Sequence, residues 1–174
     1  RTPFLNGRLS GFATDINDGT DIKRFYHEDY RTFVNYVMTD VDVRMIGTEI
    51  ALQAKLSPTL SATFVGSFMQ AFYNSRPNVS IVRDNDTNAR VESSKAYIEN
   101  YYLQVGPQTA TTLGFNYRSP KYWYANVNLN YVDRNYIGIN PSRRTIEAVD
   151  GIAKGSEQYH NIIDQEKLPS AFTV

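Results

Sequence analysis

Residues 106–134 read GPQTATTLGFNYRSPKYWYANVNLNYVDR, and this stretch decides the fold class. Two strand-like runs flank Ser119-Pro120, which suits a tight turn because proline pre-sets the dihedral needed early in one. In the second run Trp123, Ala125, Val127, Leu129 and Tyr131 alternate with Tyr124, Asn126, Asn128 and Asn130. The period is two, so one face of the strand is apolar and the other is rich in amides. Soluble sheets alternate as well, but their wet face usually carries Lys, Glu and Thr. An asparagine ladder behind a Trp/Val/Leu stripe, with aromatics crowded at the turn, is the pattern of a membrane barrel strand. Such a strand has lipid on one side, a wet lumen on the other and an aromatic girdle at the interface.

Working outward, the first run sets Thr109, Thr111, Leu113, Phe115 and Tyr117 against Gln108, Thr112, Gly114 and Asn116. Met45–Leu56 places Ile46, Thr48, Ile50, Leu52, Ala54 and Leu56 opposite Glu49, Gln53 and Lys55. Leu60–Tyr73 places Leu60, Ala62, Phe64, Gly66, Phe68 and Phe72 opposite Ser61, Thr63 and Ser67. In Phe4–Thr14 the row Leu5, Gly7, Leu9, Gly11 and Ala13 lies opposite Arg8 and Ser10. A spacing of two rather than three and four argues against helices. Leu168, Ser170, Phe172 and Val174 begin a further strand.

The triplet Arg118-Ser119-Pro120 is echoed by Arg1-Thr2-Pro3 and by Leu56-Ser57-Pro58, each ahead of a strand-like run. Proline cannot donate to a sheet ladder, so these triplets predict short turns along one rim. The connections at the other rim are long: Asp15 to about Asp42, Asn74 to Gln104, and Asn135 to Lys167. Within the first, Tyr30–Thr39 is strand-prone and fits a hairpin projecting beyond the rim. The second is most turn-like at RDNDTNAR, and the third fits a helical turn or two. Short turns on one rim and long loops on the other is the asymmetry of outer-membrane barrels.

Composition sets bounds on this. The 174 residues carry 18 basic and 18 acidic side chains. Neutrality argues against nucleic acid as a partner, since phosphate binding needs a concentrated basic surface. No stretch approaches the ~20 apolar residues of a membrane helix, whereas a spanning strand needs only ~9–11. Thirteen tyrosines suit both sheets and membrane interfaces. The absence of cysteine excludes disulfides, zinc-thiolate sites and thiol catalysis. The chain starts at Arg1-Thr2-Pro3 without an initiator methionine, so the expectation is a processed or excised piece. About six strands with cut ends cannot sit alone in a bilayer, where every backbone group must be paired, so a segment of a larger barrel is expected.

The runs IGTEIALQAKLSPTLSATFVGSF and GPQTATTLGFNYRSPKYWYANVNLNYVDRNYIGINPSRR resemble the C-terminal barrel of TonB-dependent receptors. The resemblance covers nearly the whole chain and is nearest to the large receptors of Bacteroidota. These include the SusC/RagA-like branch and relatives with a carboxypeptidase-regulatory-like domain. It implies an all-β fold: about six strands of an antiparallel transmembrane β-barrel of about 22, with long extracellular loops. Residues 1–174 would then be part of one barrel domain, without the plug domain, the TonB box or the C-terminal aromatic strand. The implied location is the bacterial outer membrane. The implied function is active uptake of a nutrient ligand (a glycan, peptide or metal chelate) when TonB pulls on the plug. The implied partners are membrane lipid, the rest of the barrel and its plug, TonB through the absent N-terminal part, and a surface lipoprotein. A soluble or surface-attached β-sheet binding module and a passive outer-membrane channel are the competing classes.

Candidate functional residues follow from the faces. Arg8, Glu49, Gln53, Lys55, Asn126, Asn128 and Asn130 would face the lumen, lining a path or, more plainly, meeting plug or water. Tyr122, Trp123 and Tyr124 would form an interface belt rather than a sugar platform. Tyr97, Tyr101 and Tyr102 fit either a strand extension above the membrane or stacking on a ligand. His27 and His160 lie in separate long connections without a nucleophile motif, so no enzyme activity is expected. Asp15, Asn17, Asp18, Gly19 and Asp21 resemble the start of a calcium loop. The twelfth position from Asp15 is Tyr26, however, where such a loop needs a bidentate glutamate. Asp84, Asn85, Asp86 and Asn88 offer further oxygen ligands. Both acidic stretches read first as polar turns, with calcium the lesser alternative and no cofactor expected.

Overall fold

The alternation along residues 106–134 becomes a register in the computed structural model, which describes residues 4–27, 31–83, 92–139, 144 and 149–174. In chain order the elements are β1 (Leu5–His27), β2 (Thr32–Lys55), β3 (Leu60–Tyr73), β4 (Asn78–Arg83), β5 (Glu92–Lys95), β6 (Thr109–Arg118), β7 (Tyr124–Asp133), helix α1 (Glu157–Ile163) and β8 (Ala171–Thr173). The strands form one eight-stranded sheet, in the order β5-β4-β2-β3-β6-β7-β8, with β1 along the other edge of β2. Every pairing is antiparallel. No helix among the described residues is long and apolar enough to cross a membrane, which says nothing about strands.

Because cross-strand partners share a face, the register extends the two-faced pattern sideways. Leu129 lies opposite Leu113, Leu113 opposite Phe64, Phe64 opposite Leu52, and Leu52 opposite Gly7. The row nearer the turns runs Val127, Phe115, Ala62, Ala54 and Leu5. The opposite face carries Asn128, Gly114, Thr63, Gln53 and Asn6 in one row. The sequence pattern therefore belongs to the sheet, not to one strand.

Both described Ser-Pro turns sit at the same end, where Arg118 N–H donates to the Thr59 carbonyl at 2.8 Å. Each is closed by its serine. Ser57 Oγ accepts from the N–H groups of Thr59 and Leu60 at 3.2 and 3.0 Å. Ser119 Oγ accepts from Lys121 N–H at 3.1 Å. These hydroxyls satisfy turn donors that the proline geometry turns inward. The third triplet, Arg1-Thr2-Pro3, lies outside the described residues.

The loop end differs from the sequence reading. Asp15 to Asp42 is not a loop: β1 and β2 stay paired up to His27 and Thr32, with irregularities at Ile16/Gly19 and Gly19/Asp21. The Asn74–Gln104 connection holds β4, which adds to β2 beyond the reach of β3, and β5, which pairs with β4. β2 thus lends one edge to two neighbours, β3 along Val43–Lys55 and β4 along Val34–Thr39. Asp40 marks the changeover with φ of 58°. Ser75 holds that kink by donating to the Asp40 carbonyl and accepting from Asp42 N–H, both at 2.8 Å. A bulge of this kind shifts the alternation. The buried side chains of β2 are Val43 and Val41 on one side of it, then Met38, Tyr36 and Val34 on the other. Tyr36, Met38, Val41 and Val43 pack with Val79, Ala96, Ile98 and Ile139 into the core of the loop end.

Candidate functional site

The seven lumen candidates share one sheet face. Arg8 registers with Ala51, which lies in phase with Glu49, Gln53 and Lys55. Asn130 registers with Thr112, Thr112 with Val65, and Val65 with Ala51, so Asn126 and Asn128 belong to that face too. The amides link laterally. Thr112 Oγ1 donates to Asn130 Oδ1 at 2.8 Å, and Asn130 Nδ2 donates to Thr173 Oγ1 at 3.3 Å. Asn116 Nδ2 donates to Asn126 Oδ1 at 2.5 Å, and Ser10 Oγ to a Glu49 carboxylate oxygen at 3.4 Å. Asn128 leans over Gly114, where an added Cβ would come within 2.7 Å of its Oδ1. The face is not uniformly polar, for Phe12 and Val65 belong to it.

The aromatic triplet at the turn divides between faces. Trp123 precedes β7, with its ring centroid 5.1 Å from that of Tyr117, which continues the apolar face. Tyr124 registers with Arg118 on the amide side. Tyr122 is fully exposed and holds a left-handed φ of 64°. The aromatic pair on the apolar face is therefore Trp123 with Tyr117.

A second site forms at the loop end. After β5 the chain runs beside the upper part of β3, with Tyr73 N–H donating to the Tyr101 carbonyl and Leu103 N–H to the Ala71 carbonyl. Ala96 and Ile98 are buried in the core, so the alternation turns Tyr97 and Glu99 the other way. Two glutamines hold this segment in place of missing strand neighbours. Gln108, only 1% exposed, accepts from Ala71 N–H at 3.0 Å and donates to the Ala71 carbonyl at 3.1 Å. Gln165 accepts from Tyr102 N–H at 2.8 Å and donates to the Tyr102 carbonyl at 2.7 Å. Each primary amide reproduces the donor and acceptor of a peptide group. Arg134, at φ of 54°, ties the same corner by donating to Thr109 Oγ1 and to the carbonyls of Met69 and Gln108.

Helix α1 closes the other side. Its N-cap Ser156 accepts from Tyr159 N–H at 3.1 Å, and the Tyr101 hydroxyl donates to the Ile163 carbonyl in its last turn. Between Tyr97–Tyr101 and Val149–Ile163 lies a cavity of about 620 Å³. Arg76 reaches its rim, donating from Nε to Glu99 at 2.9 Å with its guanidinium 5.1 Å from the Tyr97 ring centre. Burial pushes the Tyr101 hydroxyl above its ordinary pKa, so it stays a donor at neutral pH. Tyr97 and Tyr101 thus line a cavity, whereas Tyr102 stacks on Tyr136 at 4.2 Å. Arg76, Asp150 and Tyr159 were not legible as partners, because Arg76 comes from one long connection and Asp150 and Tyr159 from another, without a shared motif.

His160 sits on α1 with Nδ1 3.2 Å from an Asp164 carboxylate oxygen, both side chains exposed. His27 ends β1. Asp15 is held by Arg44 at 2.6 Å, and Asp18, at φ of 56°, directs its N–H to Asp42. Among the described residues no group of His, Cys, Asp and Glu could hold a metal ion. Asp84, Asn85, Asp86 and Asn88 lie outside them. Comparison with protein-family models, curated proteins and solved structures found no match.

Proposed function

We propose that the chain is a wall segment of an outer-membrane β-barrel receptor of the TonB-dependent kind, taking up a nutrient ligand. One observation carries the reading. The sheet has an uncharged apolar face across β1, β2, β3, β6 and β7, backed by an amide-rich face and bounded by serine turns at one end. β6 and β7 are ten residues each, the length of a spanning strand at ~9–11. Large apolar side chains on this face are open, Leu9 at 75% and Leu129 at 42% exposure, which costs free energy in water and none in lipid. Charge enters the face toward the loop end, at the Asp15–Arg44 pair and at Asp133. The same sheet leaves the outer edge of β1 open among the described strands, the place where a barrel would continue. The lumen would receive Arg8, Glu49, Gln53, Lys55 and the asparagines, and the loop-end elements would stand outside the cell.

The test is extraction of the native full-length protein from its cells with and without detergent, followed by uptake measurements in the presence of a protonophore. Recovery only with detergent and uptake abolished by the protonophore are expected. A monomer soluble in plain buffer would instead mark a surface binding module, and protonophore-insensitive uptake a passive channel.

A further inference from the structure

We infer that Tyr102 and Tyr136 form an oxidative cross-linking site, where a one-electron oxidant joins the two phenols into a dityrosine. The inference goes beyond the uptake reading and does not rest on it. The two rings stack with centroids 4.2 Å apart and planes 13° from parallel. Among the described ring pairs this is the one made of two phenols. The others each pair one tyrosine with Phe, Trp or His. Both residues are half-buried, so an oxidant in solution reaches them while their neighbours hold them. The backbone fixes the approach. Tyr102 is bridged to Phe72, and Tyr136 to Lys167. Gln165 ties the two segments together: its side-chain amide pairs with Tyr102 N–H and carbonyl at 2.8 and 2.7 Å, and it donates to the Ile137 carbonyl at 3.3 Å. Ile137 N–H in turn donates to the Glu166 carbonyl at 2.9 Å. The rings therefore start as neighbours, and a positioned reaction replaces a chance encounter. Rotation about Cβ–Cγ leaves a ring centre in place and turns its edge toward the partner, so coupling needs rotation rather than approach.

The step balances with an external oxidant, hydrogen peroxide acting through a haem peroxidase. Each phenol loses one electron and one proton and becomes a tyrosyl radical. The two radicals form one C–C bond between carbons ortho to the oxygens. The hydrogens on those carbons then shift to the oxygens, which restores both phenols. One peroxide takes up the two electrons and two protons and leaves as two waters. The new bond links the connection after β5 to the connection after β7. The chain has no cysteine and so no disulfide to do this. A cross-link between residues so far apart in sequence narrows the unfolded ensemble as a disulfide does.

Purified full-length protein, treated with a haem peroxidase and hydrogen peroxide and then digested, tests this by mass spectrometry of the peptides. The protein is kept dilute, because exposed tyrosines such as Tyr122 and Tyr124 couple between molecules at high concentration. A joined peptide pair carrying Tyr102 and Tyr136, lighter by two hydrogen atoms than its parts, is expected. It should exceed any other tyrosine pair at least tenfold. Tyr102→Phe and Tyr136→Phe each keep a ring that stacks, and each is expected to abolish that product. Wild-type protein unfolded in urea before treatment should lose the preference, since the fold alone brings the rings together. Absence of the Tyr102–Tyr136 product, its equal formation in urea, or its survival in either variant would overturn the inference.

Discussion

Along Gly47–Lys55 the face of β2 that carries Glu49, Gln53 and Lys55 is largely open. From Tyr36 to Val43 the continuation of that face is buried with Val79, Ala96, Ile98 and Ile139. The two regions share a strand and a face, and differ in what covers them. At the turn end no described segment folds over the amides, and they satisfy one another across strands. At the loop end the chain returns three times, through β4–β5, through Tyr101–Leu103 and through Tyr136–Ile139, and the same face becomes a core. Whether a strand face is wet or dry is therefore decided by the connections, not by the strand.

The largest effect should come from breaking that contrast directly. Met38 is fully buried, so Met38→Ala is expected to cost about 2–5 kcal/mol in urea unfolding of the purified protein. Gln53→Ala, on the same face at the turn end, should cost under about 0.5 kcal/mol. Equal losses would mean that the turn end is covered as well.

Next is the opposition of faces at the turn end. Leu129→Arg, on the apolar face, is expected to lose ~2–4 kcal/mol when unfolding is measured from lipid vesicles, and Asn128→Arg far less. Equal destabilisation by the two would remove the assignment of one face to lipid.

The two glutamines sharpen the comparison at the loop end. Gln108→Leu strands the buried N–H of Ala71, whose carbonyl still accepts from Leu103 N–H, and should cost about 1–3 kcal/mol, with faster hydrogen exchange at Ala71. Gln165→Leu should cost less, because water reaches Tyr102 and replaces part of the amide. Equal exchange rates at the two amides would show that Gln108 is no better shielded than Gln165.

The smallest effect belongs to the boundary. Arg44 and Asp15 are both about half exposed, at 47% and 49% of their side-chain surface. Arg44→Ala should therefore change stability least of all, and less still in high salt. A larger loss that survives high salt would mean that the pair is buried against something in the full protein.

Much of the turn end was legible in the sequence. A period of two survives whatever the neighbours are, so Ile46–Ala54, Leu60–Phe68 and Trp123–Tyr131 could each be split into faces from their own residues. The loop end was not legible, for a specific reason. Val34, Tyr36 and Met38 are even-numbered like Ile46, Ile50 and Leu52, and plain alternation assigns all six to one face. The bulge at Asp40 puts the first three on the opposite side, and only pairing with β1 and β4 reveals it. Tyr97 and Tyr101 could be named from the sequence as stacking candidates, but not separated from Tyr102. Their roles depend on contacts with Ile163, Gln165 and Tyr136, far along the chain.

By itself, then, the sequence determined that this chain forms antiparallel strands with one apolar and one amide face, and where the Ser-Pro turns fall. Those are local consequences of side-chain alternation and of proline and serine geometry. Tertiary structure decided which stretch of the amide-side face stays open and which is buried, and which tyrosines share a cavity. Those outcomes rest on long-range pairing, where one residue of slip or one bulge sends a whole row of side chains to the other side of the sheet.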